Sequence, residues 1–421
     1  MIKLFLLPIL WFMATLANAS CNFVSADYLS EIGSPKSIKT IQIDVPKSAK
    51  FNRNFAKILV SRSKNIPKNL KKYFRATVVV NFDFGSCTYK AKVRQNGDLR
   101  DHIKLVNNGE PQRSLVVKLD EGNVLSAVKF KLLIPETRNN LNEVLGTIFL
   151  NKLGFITPET FQVETIVNGT RSLMLFQEDT RKELLERNNR REGPMFEGDE
   201  TLIWSGEHKE KLGAGHRLKP ISLARVSNIK WFLKGETSQE ITLTAFNQLQ
   251  MAYLDFSQNW LSEHMTIFPN QQNSPIFEDY FFSLLMMSGL HAGATYNRKF
   301  YFNTFTDEFE PIYYDGLFLL TEPPYIHPKK YVISSALRKG YKFPFENLFS
   351  DTTDWRAEAL EEFRSRVVIS DTDALIFFEK SITQMAENID ILHNHLQAVE
   401  YPIKSVKSTS ENIKSYVSNE I

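Results

Sequence analysis

Two kinds of hydrophobic periodicity divide the chain, and this division constrains its fold more than any other feature. Up to about residue 190, short segments rich in β-branched and aromatic residues alternate apolar and polar positions, as half-buried strands do. Beyond that point the longest patterned segments repeat with the period of a helix. Strands in one half and helices in the other predict an α+β protein.

The first half is predicted to form a small antiparallel sheet. Asn96-Gly97 and Asn168-Gly169 are turn signals that tolerate positive φ, and the second fits a type I′ hairpin. A helix lies between the fourth and fifth strands, because apolar residues recur at helical spacing from Leu141 to Phe149 and Gly154 closes the helix. The predicted strands are 76–84, 88–95, 114–119, 128–134, 161–167 and 172–177.

The second half is predicted to be mainly helical. Apolar stripes indicate helices over 241–261, 276–290 and 371–396. Two short alternating segments, 298–303 and 309–314, flank a polar turn and predict a hairpin within this half.

Chain length and pattern together predict two lobes, because 421 residues exceed what one compact core normally holds. We expect a β-rich N-lobe over 76–190 and a helical C-lobe over 191–400, with the second-half hairpin in the C-lobe. Residues 20–75 are predicted to be an N-terminal arm, and 401–421 a loosely held polar tail.

The N-terminus has the pattern of a secretory signal peptide. Lys3 precedes an apolar run over 4–16, and Ala17-Asn18-Ala19 places small residues where a signal peptidase cuts, before Ser20. We expect 1–19 to be removed, with a retained anchor as the alternative. No other stretch is long and apolar enough to cross a membrane. The sequence therefore predicts an exported protein, periplasmic or extracellular, with no transmembrane segment after processing.

The two cysteines allow a disulfide, and the net charge limits the class of binding partner. Cys21 and Cys87 can form a disulfide in an oxidising compartment; alternatively, Cys87 is a buried apolar residue and Cys21 is free or lipidated. The formal charge is only +3, which argues against a nucleic-acid-binding protein.

The order of four polar residues suggests a nucleotide site. Asn297 ends the loop after a buried helix, a hairpin follows, and Asp315-Gly316 comes next. In protein kinases an Asn and an Asp in this order hold the divalent cations that neutralise the nucleotide phosphates, and a strand Lys pairs with a helix Glu. Asn297 and Asp315 are therefore candidate metal ligands, and Lys118 and Glu143 candidate nucleotide-binding residues. Taken singly, each is also typical of a plain surface strand, helix or turn position.

Several short motifs occur in a fixed order between about residues 90 and 320. They are Lys92-Val-Arg-Gln-Asn-Gly-Asp, Arg113-Ser-Leu-Val-Val-Lys-Leu-Asp, Phe130-Lys-Leu-Leu-Ile, the helix 139–154, the Val167-Asn-Gly hairpin leading to Gln177-Glu178, Gly193-Pro-Met-Phe, Asn297-Arg-Lys-Phe-Tyr-Phe and Phe309-Glu-Pro-Ile-Tyr-Tyr-Asp. In this order they resemble the spore-coat-protein-H (CotH) family of atypical kinases.

The resemblance implies a two-lobed kinase-like architecture that uses ATP with Mg²⁺ or Mn²⁺ to phosphorylate Ser or Thr of an envelope or coat protein. It implies Asn297 and Asp315 as metal ligands, Lys118 on a phosphate and Glu178 near the nucleotide.

One departure from the family bears on activity. Its members carry an acidic residue a few positions before the Asn, but residues 288–296 contain no Asp or Glu. His291 is the candidate catalytic base in its place, since imidazole accepts protons near neutral pH; alternatively, His291 only packs at the helix end. The alternative function is a degenerate, non-catalytic binding or scaffold module in envelope or surface-polymer assembly.

Overall fold

The strand-rich half of the chain forms a barrel in the computed structural model. The structure describes residues 20–23, 31–61, 65–106, 109–198, 224–259, 275–294, 297–324, 337, 341–344 and 354–398. The predicted signal peptide, 1–19, and the predicted tail, 401–421, lie outside the described residues.

The elements of the first half follow one another in this order: β1 (Ser20–Phe23), β2 (Ile38–Asp44), α1 (Ser48–Leu59), β3 (Phe74–Phe82), β4 (Gly85–Gln95), β5 (Ile103–Leu105), β6 (Pro111–Arg113), β7 (Leu115–Leu119), β8 (Lys129–Leu133), α2 (Leu141–Lys152), β9 (Thr160–Val167), β10 (Thr170–Glu178) and α3 (Lys182–Arg187).

Those of the second half are β11 (Met195–Gly198), β12 (Ala224–Val226), α4 (Ile229–Phe232), α5 (Glu236–Asn259), α6 (Ile276–Met286), β13 (Lys299–Asn303), β14 (Glu308–Ile312), α7 (Asp354–Arg366) and α8 (Asp371–Ala398).

Among the described residues, seven strands close into a barrel in the order β4-β3-β2-β9-β10-β8-β7, and β7 returns to pair with β4. All neighbours are antiparallel except β2 and β9, which run parallel. Alternate residues fill the interior, as in β3, where Phe74, Val78 and Phe82 are buried and Arg75 is exposed. Closure leaves no unpaired edge between these strands.

The fold prediction is wrong in its architecture. A kinase-like molecule of two lobes with an open antiparallel N-lobe sheet was expected, whereas the structure has a closed seven-stranded barrel, smaller sheets and, in its described part, eight helices. Two pairings overturn the expectation. The parallel pair β2–β9 inserts β2 into the sheet, and the pair β4–β7 joins its ends. Residues 38–44, assigned by sequence to the N-terminal arm, are therefore a barrel strand.

A second apolar core joins helices from both halves of the chain. Val144 and Phe149 of α2 belong to the same buried cluster as Phe282 of α6 and Phe378 of α8. Helix α2 is consequently covered by the barrel on one side and by the second half on the other, which explains why every residue from Glu143 to Leu150 is buried.

The two cysteines form a disulfide. Strand β1 pairs with β4 beyond the stretch that pairs with β7, and this register places Cys21 opposite Cys87. Of the two alternatives predicted from the sequence, the structure has the disulfide. The bridge attaches the start of the described chain to the barrel wall.

Candidate functional site

A buried lysine on the outer face of the barrel is the centre of the candidate site. In β8, Phe130 and Leu132 belong to the barrel core, so Lys131 between them points outward, where its side chain is only 11% exposed. Burial lowers the pKa of the Lys131 ammonium, and the carboxylate of Asp179 offsets part of that effect. An ammonium group that is removed from water in this way is stabilised by any additional anion nearby.

Two lysines share a single carboxylate at this place. Asp179 follows β10 and accepts a hydrogen bond of 2.6 Å from Lys129 Nζ, while Lys131 Nζ lies 3.8 Å from its other oxygen. Burial alone would raise the pKa of Asp179, but Lys131 and Lys129 outweigh it and hold that pKa well below its usual range. One carboxylate against two ammonium groups leaves a local excess of positive charge.

A third cation, Lys299, joins the two lysines at the ring of Tyr314. The Nζ atoms of Lys131 and Lys299 lie 4.4 and 4.5 Å from the ring centroid, respectively. Lys131 Nζ is also 3.4 Å from the Tyr314 hydroxyl. Lys299 in addition forms an ion pair with Glu197 of β11. Residues from the barrel and from the second-half hairpin thus meet here.

Asp315 stands next to these cations, in an ion pair with a buried arginine. Arg138 Nη2 lies 3.1 Å from Asp315 Oδ2, and His291 Nε2 lies 3.8 Å from the same oxygen. Burial works against the charge of Arg138, but Asp315, together with Tyr314, Glu143 and Tyr313, outweighs it and raises the pKa of the guanidinium. The backbone of Asp315 is left-handed, with φ of 54°, which Asp tolerates better than most residues.

Oxygen atoms for a hard divalent cation are present at Asp315 and Asn297. Asp315 Oδ1 is buried and has no hydrogen-bond partner in the described part of the chain. Asn297 Nδ2 donates to the carbonyls of His291 and Asp315, each at 3.1 Å, so its amide nitrogen is occupied and Oδ1 is the side-chain atom left for a cation. No group of three or more His, Cys, Asp or Glu suited to a metal exists among the described residues. Two protein oxygens fit Mg²⁺ only if phosphate and water complete its shell, as is usual for nucleotide sites.

Glu143 holds the segment around Asp315 through hydrogen bonds. It is fully buried, and its two oxygens accept hydrogen bonds from Tyr313 Oη at 2.6 Å and Gln177 Nε2 at 2.8 Å. Burial raises the pKa of Glu143 to about 7. Tyr313 Oη in turn accepts from the backbone N–H of Gly316 at 2.9 Å. Glu143 therefore positions the chain around Asp315.

The structure brings four of the six predicted site residues together and leaves two apart. Asn297, Asp315 and His291 are in direct contact or nearly so, and Glu143 reaches them through Tyr313. Lys118 is exposed on β7, across from Lys129. Glu178 is buried on β10 and is bound by Arg187 at 2.9 Å.

Sequence reasoning missed the residues that carry most of the site's charge. They are Lys129, Lys131, Arg138, Asp179 and Lys299. A signal existed at one of them: Lys131 stands between Phe130 and Leu132 in a short apolar strand immediately before the helix of Glu143. A lysine between two core residues of a strand lies on the outer face of the sheet, either in solvent or beneath another part of the chain.

A row of basic side chains runs from the site across the barrel surface. The strand registers place Arg75 opposite Lys92, Lys92 opposite Lys118 and Lys118 opposite Lys129. Lys92 has a carboxylate neighbour, Asp120, at 3.3 Å. Like charges directly opposite one another destabilise a sheet, so this row has no stabilising role of its own.

His291 opens onto a cleft of about 770 Å³, which Leu290, Gly316, Leu319 and Glu322 also line. The imidazole therefore has one side toward Asp315 and another toward space large enough for a substrate group.

Comparison with known proteins gives no match: no protein-family model matches the chain, and no curated protein matches it. The resemblance to the CotH family therefore stays a prediction from the motifs. In the described residues, no helix combines the length and the apolar character that a membrane span requires.

Proposed function

We propose that this protein binds ATP, or a similar nucleotide, together with Mg²⁺ or Mn²⁺ at the cluster around Lys131, Arg138 and Asp315. The observation that carries the proposal is the gathering of largely buried cations beside one acidic residue that could hold a metal: Lys131 and Lys299 contact Tyr314, and Arg138 pairs with the adjacent Asp315. Lys129, Lys131, Arg138 and Lys299 outnumber the carboxylates they contact.

Phosphate oxygens are the ligand groups that satisfy this charge pattern. The ammonium of Lys131 is desolvated but shares Asp179 with Lys129, so a phosphate would gain a charge-assisted hydrogen bond there. The basic row from Lys129 to Arg75 extends the positive surface away from the site. A triphosphate, with its several negative charges, fits such a surface better than a monovalent ligand does.

Asp315 and Asn297 would hold the metal. The buried Oδ1 of Asp315 has no partner among the described residues, and a hard divalent cation is attracted to such an oxygen. A bound Mg²⁺ or Mn²⁺ would supply neutralisation of the phosphate charge. Arg138 holds Oδ2 of the same carboxylate and Asn297 fixes the backbone of Asp315, so both orient the ligand.

Phosphoryl transfer to a protein hydroxyl is the activity that goes with this binding. His291 lies 3.8 Å from Asp315 on the side of the open cleft, where it can accept the proton of an incoming Ser or Thr hydroxyl. With the predicted export of the chain, the acceptor would be an envelope or coat protein in the periplasm or outside the cell. Non-catalytic binding in an envelope assembly is the second candidate, favoured by the absence of any Asp or Glu over residues 288–296.

Thermal unfolding with and without ATP and Mg²⁺ or Mn²⁺ tests the binding. A ligand at one hundred times its dissociation constant stabilises a protein by about 2.7 kcal/mol, and we expect Lys131→Met to lose most of this gain. Lys380→Met is the matched control, because Lys380 is an exposed residue of α8. Lys118→Met should have a weaker effect than Lys131→Met, since Lys118 is exposed on the basic row.

Asp315→Asn separates metal binding from phosphate binding. The variant keeps the shape of the side chain but removes the carboxylate, so stabilisation by ATP should no longer depend on the divalent cation. No stabilisation of the wild type by any nucleotide would refute the proposal. If binding is confirmed, transfer of the γ-phosphate that His291→Asn abolishes decides for the kinase, and binding without transfer decides for the non-catalytic module.

A further inference from the structure

A buried arginine that has no carboxylate partner among the described residues lies beside the barrel, away from the first site. Arg113 ends β6 and is 6% exposed. Its guanidinium carbon lies 4.0 Å from the ring centroid of Phe51 and 4.5 Å from that of Phe55, both on α1. Nη1 donates to the carbonyl of Phe51 at 3.2 Å and Nη2 to Asn52 Oδ1 at 3.0 Å.

These contacts orient the arginine but do not neutralise it. Throughout the described ranges, Arg113 forms no ion pair, whereas buried Arg138 and partly buried Arg366 each pair with a carboxylate. Burial lowers the pKa of Arg113 to about 9, with no acidic group to offset the effect. A buried charge is normally paired, because removing an ion from water costs several kcal/mol.

The guanidinium borders a cavity that has room for an anion. The cavity measures about 70 Å³, and its polar lining comes from Arg113, Asn52, Gln112, Asn168, Thr170 and Ser172. This is space for a few water-sized groups rather than for a nucleotide.

A second donor in the lining has no partner. Asn168 Oδ1 accepts the backbone N–H of Val45 at 2.7 Å, which fixes the amide, while Asn168 Nδ2 is buried without an acceptor among the described residues. Buried donors of this kind are rare unless a ligand or water satisfies them. The described residues of the lining offer donors and hydroxyls and include no carboxylate, so they favour a negative group and disfavour a cation.

We propose that this cavity binds a small oxyanion, a free phosphate or sulfate or a small carboxylate, through Arg113 and Asn168. The planar guanidinium fork suits both kinds of oxyanion. The site is separate from the nucleotide site: it lies among α1, β6 and the β9–β10 hairpin and shares no residue with the cluster around Lys131.

Calorimetric titration of the full chain with phosphate, sulfate and acetate at constant ionic strength tests this inference. It is done in the Lys131→Met background so that binding at the other cluster does not contribute. We expect saturable binding of one anion per chain, and comparison of the three titrations identifies the preferred oxyanion. Heat that is the same for all salts, chloride included, and does not saturate would overturn the proposal.

Asn168→Asp supplies a negative group from the protein itself. Asp tolerates the positive φ of 48° at this position and retains the acceptor for Val45, so folding should be preserved. We expect affinity for the anion to fall at least tenfold. Asn123→Asp is the control: its side chain also accepts a backbone N–H, that of Ser126 at 3.0 Å, but on an exposed turn. It should bind as the wild type does.

Arg113→Lys gives a second, independent measure. It keeps the charge and loses the fork, so affinity should fall while the protein stays folded. If both Asn168→Asp and Arg113→Lys bind the anion as tightly as the wild type, the cavity is not the site.

Discussion

Replacement of Glu143 by Gln is expected to remove a pH dependence of stability that this one carboxyl creates. Glu143 is fully buried between Tyr313 and Gln177, and its pKa is raised from an ordinary value of 4.5 to about 7, because burial disfavours the charged form. Gln is uncharged and of the same shape, so it resembles the protonated glutamic acid at every pH.

The sign and size of this pH dependence follow from the difference in proton binding between the folded and unfolded states. The folded state binds this proton more tightly than the unfolded state, so the contribution of Glu143 to stability is fully present below pH 4.5 and is lost as pH rises to about 7. Each pH unit between the two pKa values corresponds to about 1.4 kcal/mol, which gives a loss of about 3 kcal/mol over the whole interval. About 2.5 kcal/mol of it falls between pH 5 and pH 8.

Urea titrations of the wild type and Glu143→Gln at pH 5 and pH 8 measure the effect. Other groups titrate in the same range, so the quantity of interest is the difference between the two proteins, which should move by about 2.5 kcal/mol in favour of the variant at pH 8. Glu186→Gln, at an exposed position of α3, is the control and should show no such change. An equal difference at both pH values would refute the reasoning that Glu143 is protonated in the folded state near neutrality.

Three further changes test other parts of the structure. Reduction of the disulfide, which closes a loop with a sequence separation of 66, should lower the free energy of unfolding by about 4 kcal/mol in guanidinium titrations; a change below 1 kcal/mol would contradict this. Gly146→Ala places a Cβ 2.2 Å from the ring of Phe318 and should lower the free energy of unfolding by about 1–3 kcal/mol. Gly33→Ala, with nothing within 4 Å, is the control and should be neutral. Equal effects of the two changes would count against tight packing between Gly146 and Phe318. Asp179→Asn leaves two largely buried lysines without their carboxylate, and we expect about 3 kcal/mol of destabilisation by the same titration, with restored stability in phosphate as a sign that phosphate binds at Lys129 and Lys131.

Local patterns predicted most of the longer elements of the structure. The predicted helix at Leu141 begins at that residue, and the hairpin at Asn168-Gly169 has positive φ at both turn positions. These elements are decided by nearby residues, through side-chain periodicity and turn chemistry. Strand β2 was missed although Ile41-Gln42-Ile43-Asp44 alternates, because the alternation breaks at Lys39-Thr40 and the place of the strand in the barrel depends on β9, far along the chain.

The dependence on distant parts of the chain also explains why the sequence pointed to Lys118 rather than to Lys131. Lys118 and Lys131 both lie on the outer face of the barrel, on neighbouring strands, and alternation alone does not distinguish them. The difference arises from what covers the face: Tyr314 contacts Lys131, whereas Lys118 is exposed. The contact between Asn297 and Asp315 was easier to predict, because both residues follow elements whose ends the sequence marks.

The parallel pair β2–β9 has a consequence for the order in which the molecule folds. Strands β3 and β4 are neighbours in sequence and form a hairpin, but Thr40 finds its partner only at Glu164. Bringing such distant segments together costs chain entropy before any contact repays it, so sheet closure is the slow event of folding. The cysteine pair, in contrast, needs only the hairpin and β1. In an oxidising medium the covalent link can therefore form while the barrel is still open, and it then retains the N-terminal strand beside the sheet until β9 arrives.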